Sequence, residues 1–372
     1  MGGGPELPHQ RGASNRELLL SVVPFPQSST EKIIKQIQDE FPHLEIQFIE
    51  QAFDKDKRGD AQVPEDVYRR ATYLFTLTWL PPNADAAPGL KFIQFCSAGT
   101  NHVADHPIYK DSKIPLTTAS GIHGPQIAEW VIMTHLVHTH SYLELYEAQK
   151  RREWHKPKGL NVRDAPGRRV GVLGYGSIGR QVARVAKALG MDVIAYTASP
   201  RPTPESRKDH GFIVPGTGDP DGEYPSAWYS GLDRDSLHNF LEQEIDLLVI
   251  SVPLTKDTTH FLSTPEFELL HKSNPNGTYV SNISRGPVID QPALVKALEE
   301  KQIAGASLDV TDPEPLPEHD PLWTAPNVLI TPHISASSTE YAERAFQVLQ
   351  ENLRRSRDGN RLVNEVDRKR GY

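Results

Sequence analysis

The stretch VGVLGYGSIGRQVARVAKALG holds Gly174, Gly176 and Gly179 after an apolar strand-like run and at the head of a helix-like one. Glycines so spaced can cradle phosphate. The first permits a tight turn, the second lets backbone approach a pyrophosphate, and the third lets helix and strand pack closely. The helix that opens at Ser177 and Ile178 would turn free N–H groups towards the phosphates. Strand, turn, helix and second strand are all present, which favours a dinucleotide over a plain glycine-rich turn or a methyltransferase turn. The second strand leads into VIAYTASPRPTPESRK. An NAD site carries Asp or Glu there, about 20 residues beyond the turn, on the ribose 2′-hydroxyl. Thr197 holds that place, Ser199, Arg201 and Thr203 follow, and no carboxylate occurs before Glu205. Losing the acid removes repulsion against a 2′-phosphate, and a guanidinium can pair with phosphate bidentately. NADP(H) is therefore expected over NAD(H), with Arg201 the leading contact, against the plainer reading of a solvated basic loop. Three later segments place reactive side chains just past strand-like runs, at the edge where open α/β sheets hold ligands. They are Arg285 in SNISRGPVID, a choice of Asp309, Asp312 or Glu314 in ASLDVTDPEPLP, and His333 in NVLITPHIS.

The elements that must position these residues read as two α/β series. ELLLSVV forms a buried strand, and TEKIIKQIQDEF follows as a helix with Ile33, Ile34, Ile37 and Phe41 on one face. LEIQFIE alternates as a half-buried strand does, and ATYLFTLTWL, LKFIQFCSAG and KIPLTTASG add three more strand-like runs. Glycines and Pro125 break the chain at SGIHGP. QIAEWVIMTHLVHTHSYLELYEAQKRREW then reads as one long helix without internal Pro or Gly. The second series runs from the glycine turn through DLLVISVP, GTYVSNIS, IAGASLDV and NVLITPH, the rhythm of a doubly wound parallel sheet. The segment from Ser199 to Asp235 lacks periodicity and is too long for an ordinary connection, so it reads as an insertion. A last amphipathic helix sets Ala345, Phe346, Leu349 and Leu353 on one stripe.

Composition narrows the classes. With 372 residues there is room for two domains, and a formal net charge of −8 gives no basic footprint for nucleic acid or anionic membrane. The single cysteine, Cys96, excludes an internal disulfide and suits a reducing compartment, with the cytoplasm as the default. The first residues, MGGGPELPHQRGASNRE, lack the apolar core of a signal peptide and read as a disordered leader. Gly2 is followed by Glu6 where a myristoylation signal wants Ser or Thr, and the closing KRGY matches no retention or peroxisomal address. His135, His138 and His140 cluster in the long helix, but without further ligands at suitable spacing they read as a polar or interface face, and no metal is expected.

LGYGSIG, NISRGPVID, ASLDVTDPEPL and TPHIS, in this order and spacing, resemble the D-isomer-specific 2-hydroxyacid dehydrogenases, particularly the glyoxylate/hydroxypyruvate reductases. FCSAGTNHVAD resembles that family's substrate loop. The resemblance covers most of the chain apart from the leader and the insertion. It implies two Rossmann-like/flavodoxin-like domains, each a parallel sheet flanked by helices, with the active site in the interdomain cleft. It assigns 125–335 to the dinucleotide-binding domain, and 1–124 plus 336–372 to a discontinuous substrate domain.

Carried over residue by residue, Arg285, Glu314 and His333 match the family's catalytic three. Arg285 would hold a 2-oxo acid by carboxylate and carbonyl oxygen. His333 would protonate the new alkoxide, with Glu314 orienting the ring and favouring its protonated form. Asp309 matches the position facing the nicotinamide carboxamide. Val252, Pro253 and Ile283 match cofactor-lining positions. Ala98, Gly99 and Thr100 match backbone that meets substrate carboxylate or cofactor, and Trp79 and Leu80 match a pocket wall, with ordinary core an equal reading for Trp79. Two departures stand out: Ser335 where the family commonly has Gly, and Gln291 where it commonly has Glu. The resemblance further implies a homodimer packed through helix 126–150. The expectation is an NADPH-preferring reductase, NAD(H) being usable, that makes D-2-hydroxy acids. The alternatives are a dinucleotide-sensing transcriptional corepressor of the same fold, disfavoured by the lack of a long regulatory tail, and an NAD-dependent formate dehydrogenase relative.

Overall fold

The computed structural model describes residues 16–51, 63–157 and 162–368. The readings of the leader, of Gly2 and of KRGY lie outside the described residues. The chain divides into two compact units, the first ending at Ala119 and resuming at Ala345, the second running from Ser120 to Arg344.

The first unit is built on a five-stranded parallel sheet of order β2-β1-β3-β4-β5, with β1 at Leu18–Val23, β2 at Glu45–Glu50, β3 at Tyr73–Thr76, β4 at Phe92–Phe95 and β5 at Leu116–Thr117. This is the flavodoxin-like order. The whole of LLLSVV is buried, as a strand covered on both faces must be. Helix α1 (Glu31–Glu40) buries Ile33, Ile34 and Ile37 and ends at the buried Phe41. Short helices α2 (Glu65–Arg70) and α3 (Pro107–Asp111) join the strands. The last helix, α11 (Tyr341–Arg357), buries Ala345, Phe346, Leu349 and Leu353. The Arg354 guanidinium donates to both carboxylate oxygens of Glu40 on α1, at 2.6 and 2.8 Å. That bond, more than any other influence, holds the Glu40 carboxyl below its ordinary range. Beneath it, the fully buried Asn352 donates to Gln94 Oε1 on β4, which also accepts from Thr117 on β5, each at 2.8 Å.

The second unit carries a seven-stranded, all-parallel sheet of order β12-β11-β10-β9-β6-β7-β8. Its strands are β6 (Arg169–Leu173), β7 (Asp192–Thr197), β8 (Ala227–Ser230), β9 (Leu247–Ile250), β10 (Tyr279–Asn282), β11 (Gly305–Leu308) and β12 (Val328–Ile330). This is a dinucleotide-fold order with one added edge strand. Helices α6 (Ser177–Ala188), α8 (Arg234–Leu241), α9 (Thr264–Ser273) and α10 (Gln291–Glu299) occupy connections between strands.

Two expectations are corrected here. The single long helix is two, α4 (Gly124–Thr139) and α5 (Tyr142–Lys150). The break comes at Ser141, which takes the left-handed conformation with φ of 50°. Thr139, His140 and Ser141 are all weak helix formers, so little opposes the turn. The region from Ser199 to Asp235 is not all insertion: it contains α7 (Pro204–Arg207) and the sheet's β8. AWYS is short and half-buried along its length, so it carried no alternating signal. The loop before it docks on α6 through the buried Asp219. That carboxylate accepts from Tyr175 Oη at 2.7 Å and from two backbone N–H groups of its own loop, while Arg180 Nη1 of α6 donates to its carbonyl at 2.5 Å.

Candidate active site

The glycine turn joins β6 to α6, and each glycine meets a different demand. Gly174 has φ of 103°, and a Cβ there would lie 2.7 Å from the Ser251 backbone. A Cβ on Gly179 would lie 2.4 Å from the Gly174 carbonyl oxygen and 2.7 Å from Val172 Cγ1, so close helix–strand packing demands its absence. Gly176 is the opposite case: a Cβ there would meet no atom within 4 Å. Gly176 precedes α6 without any side-chain cap, so the N–H groups of Ser177, Ile178 and Gly179 at the first turn lack helical acceptors. Open space beside uncapped N–H groups fits a dinucleotide's pyrophosphate. Ser251 Oγ donates to the Gly174 carbonyl at 2.7 Å and holds the turn on β9.

No carboxylate follows β7 in the chain before Glu205. Thr197 Oγ1 donates to the Ser199 carbonyl at 2.8 Å and folds the chain back. Thr203 caps α7, its hydroxyl accepting from Ser206 N, so it serves the loop's own structure. Arg201 is exposed and donates through Nη1 to the Ser206 carbonyl at 2.7 Å; its other donors have no partner among the described residues. Arg207 Nε donates to the Arg201 carbonyl, and its guanidinium lies 5.7 Å from the Trp228 ring centroid, which steadies the loop. Val252 and Pro253 follow β9 at the same edge, partly and well exposed respectively. Ile283, past the end of β10, is buried in the core with α4.

Arg285 follows β10. Asn282 fixes its segment, its carboxamide accepting from Ser284 N and Oγ and donating to the Arg285 carbonyl. A Cβ on Gly286 would lie 1.9 Å from the Thr311 carbonyl oxygen, so only glycine lets this loop reach the loop after β11. Burial lowers the Arg285 pKa, and the charge of Glu314 acts in the opposite direction. Arg285 and Glu314 are thus electrostatic neighbours. Glu314 in turn meets His333: Oε1 and Nδ1 are 2.7 Å apart. Gln291, one of the departures, braces this loop by accepting from Asp312 N at 2.9 Å and donating to Asp320 at 3.1 Å. Asn282, Gly286 and Gln291 are the supports that sequence reasoning missed. Gln291 gave a signal only as a departure, and the other two gave none.

His333 follows β12 with φ of 56°, a left-handed conformation uncommon outside glycine. Asp309 explains how the strain is held. Its carboxylate accepts from Thr331 Oγ1 at 2.6 Å, Ile334 N at 2.9 Å, Ser335 N at 2.9 Å and Ser335 Oγ at 2.5 Å, while its carbonyl accepts from His333 N at 2.9 Å. A carboxylate has about four acceptor sites. All are filled by the loop that carries His333. Asp309, expected to face a nicotinamide carboxamide, thus holds the His333 loop through its carboxylate.

In the first unit, Ala98, Gly99 and Thr100 follow β4, with Ala98 exposed and Thr100 buried. Ser97 Oγ donates to the Gly99 carbonyl at 2.8 Å. Trp79 is 2% exposed and Leu80 8%, and both pack within the unit's core. In the histidine cluster, His135 and His138 lie with ring centroids 5.5 and 4.6 Å from that of Tyr279. Among the described residues no group of three or more His, Cys, Asp or Glu could hold a metal ion, and no helix is long and apolar enough to cross a membrane.

The family model for the D-isomer specific 2-hydroxyacid dehydrogenase NAD binding domain matches residues 132–214 and 219–335. The chain is 31% identical over 272 residues to a glyoxylate reductase of Thermofilum pendens, covering 72% of each chain. It is 30% identical over 304 residues to a glyoxylate/hydroxypyruvate reductase A of Salmonella paratyphi B, covering 80% of this chain and 87% of that one. Among solved structures, it is similar to the NADPH-dependent glyoxylate/hydroxypyruvate reductase of Sinorhizobium meliloti in complex with NADP and sulfate, with a TM-score of 0.70 and 26% identity over 96% of this chain and 100% of that one. The chain belongs to the D-isomer-specific 2-hydroxyacid dehydrogenases, NAD(P)-dependent oxidoreductases.

Proposed function

We propose that the protein reduces a 2-oxo acid (glyoxylate, hydroxypyruvate or a bulkier one) to the D-2-hydroxy acid, with NADPH preferred over NADH. The observation that carries this reading is the 2.7 Å contact between His333 Nδ1 and Glu314 Oε1. With Nδ1 committed to the carboxylate, Nε2 is the ring atom left to hold and deliver a proton. Bound NADPH would supply the hydride to the carbonyl carbon. Arg285 binds the substrate's carboxylate and carbonyl oxygen, fixing that carbon and polarising it. His333 Nε2 gives its proton to the carbonyl oxygen as the C–H bond forms, and takes it back in the reverse reaction. The preference for NADPH rests on Thr197 in the acid's place and on Arg201, whose unused donors suit a 2′-phosphate, with Ser199 beside it. The glyoxylate/hydroxypyruvate reductases to which the chain is similar supply the substrate class. Two copies are proposed to pair through α4 and α5, where Met133, Tyr142, Leu143 and Tyr146 are exposed, with the 97% exposed Trp154 just beyond. The lone cysteine suits a reducing, cytoplasmic setting.

The test is a panel of 2-oxo acids assayed with NADPH and NADH. Higher kcat/KM with NADPH is expected, and Arg201→Ala should weaken NADPH binding about 10–100-fold while sparing NADH, as loss of a charge-assisted bond implies. Equal losses for both cofactors would refute the role of Arg201. Absence of turnover with every 2-oxo acid would overturn the activity itself.

A further inference from the structure

The second unit has a cavity of about 610 Å³ that includes none of the residues proposed for the reaction or the cofactor and is bordered by the histidine cluster of α4. Its walls include Arg168, Asp246, Gly277 and Asn327, which stand just ahead of β6, β9, β10 and β12. The last turn of α4 supplies His135 and His138. The glycine turn, Arg285, Asp309 and His333 all follow strands of the same parallel sheet. The cavity therefore lies at the opposite, amino edge, roughly 15 Å away at about 3.3 Å per residue.

Arg168 is the anomaly. It is 9% exposed, yet its guanidinium has no hydrogen-bond partner among the described residues, and its Nε is sealed from solvent. An unpaired buried charge is strongly unfavourable, so guanidinium groups are almost never kept that way. The charges of Asp246 and Asp164 act on Arg168, but neither carboxylate hydrogen-bonds it. Asp246 accepts from Arg163 Nη1 at 3.0 Å and from Arg169 N at 2.9 Å, and Glu144 lies 2.7 Å from His155 Nε2. Two of the last α4 carbonyls, which would repel an anion, are capped: His140 N donates to Leu136 O and Ser141 N to His138 O, each at 3.0 Å. His135, 4% exposed, has an Nδ1 with no partner. Burial keeps its ring neutral, with the pKa pushed down to about 4, so it can offer a hydrogen bond without adding charge.

We infer that this cavity is an anion site for a phosphate or small carboxylate, held by the guanidinium of Arg168 with the His135 ring beside it. A planar guanidinium meets two oxygens of such a group at once, and burial strengthens that pairing. The site stands apart from the proposed reaction, and its test needs no turnover.

The experiment is calorimetric titration with inorganic phosphate, and separately with malonate, in chloride buffer at matched ionic strength, on wild type, Arg168→Met and Arg168→Lys. Wild type is expected to bind one equivalent of anion that Arg168→Met does not, with Arg168→Lys weakened about tenfold or more. Phosphate that settles at the glycine turn contributes equally to all three proteins and cancels. Preference for phosphate or for malonate identifies which source of oxyanion the site takes. In thermal melts without anion, Arg168→Met should melt no lower than wild type, because it removes an unpaired charge. Anion at about ten times its dissociation constant should raise the wild-type midpoint by about 3–5 °C and leave that of Arg168→Met unmoved by this site. Identical stoichiometry and affinity in wild type and Arg168→Met would overturn the proposal. So would a lower anion-free melting point for Arg168→Met, which would make the guanidinium a structural contact. A change of oligomeric state without loss of anion binding would likewise overturn it, by assigning Arg168 to a carboxylate of a second copy.

Discussion

Ser335 supplies two of the four donors that fill the Asp309 carboxylate, and that carboxylate holds the loop on which His333 sits. Ser335→Ala removes the 2.5 Å hydroxyl bond and leaves Oδ2 of a 2% exposed carboxylate with one donor. Leaving such a group under-satisfied costs about 1–3 kcal/mol. That energy reaches the reaction only through the aim of the imidazole, so kcat should fall about tenfold with KM for the 2-oxo acid nearly unchanged. NADPH affinity, read by fluorescence titration, should not move. An unchanged kcat with weakened NADPH binding would mean that Asp309 meets the cofactor after all. Arg285 and His333 were readable as candidates in the sequence because open α/β sheets hold ligands past strand ends, whereas Glu314 was singled out from Asp309 and Asp312 only by the family resemblance. The loop contacts of Asp309 were not readable. An aspartate that binds a ligand and one that binds its own loop are the same letter, and only the donors around it tell them apart.

The helix α11 is joined to the first unit by a buried amide as well as by its apolar stripe. Asn352 is fully buried and makes three bonds: to Gln94 Oε1 at 2.8 Å, to the Val363 carbonyl at 3.2 Å, and from Val363 N at 2.8 Å. Asn352→Leu preserves volume but orphans both Val363 backbone groups and leaves Gln94 Oε1 with Thr117 as its one remaining donor. The unit should lose about 2–4 kcal/mol, read as a lower urea midpoint. Arg354→Ala breaks the pair with Glu40, which is part-exposed, and should cost under about 1 kcal/mol. A larger loss from Arg354→Ala than from Asn352→Leu would reverse this ranking of the two contacts. The stripe of Ala345, Phe346, Leu349 and Leu353 was legible because helical periodicity marks a buried face, and the strand runs were legible as β-branched and aromatic clusters. What periodicity could not show was the break at Ser141, since apolar residues continue on both sides of it. Nor could it show β8, whose four residues are all half-buried and take their place in the sheet by pairing with β7.

Across the whole molecule, stability should respond to acid through histidines that burial keeps neutral. Burial lowers the pKa of His123 to about 4, with Arg344 adding to the effect, and burial likewise lowers that of His135 to about 4. In the unfolded chain each would titrate near 6.5. Between those values the unfolded state binds protons that the folded state refuses, so falling pH favours unfolding. Their contribution is therefore complete above about pH 6.5 and is lost as pH falls towards 4, by up to about 3 kcal/mol for each ring. Glu40 adds to the same trend at the acid end, because the Arg354 bond holds its carboxyl low and that advantage disappears as the group is protonated. Urea midpoints measured from pH 7 to pH 4.5 in phosphate-free buffer should therefore fall steadily. His135→Leu isolates one ring, since Nδ1 has no partner to lose. The variant loses the ring's contact with Tyr279 at every pH, a constant offset, whereas the titration term changes only the slope. The two curves should converge as the pH drops, by about 1.4 kcal/mol per pH unit below 6.5. Curves that stay parallel would mean that the His135 ring reaches protons in the folded state, and the buried-histidine account of acid sensitivity would fall with it.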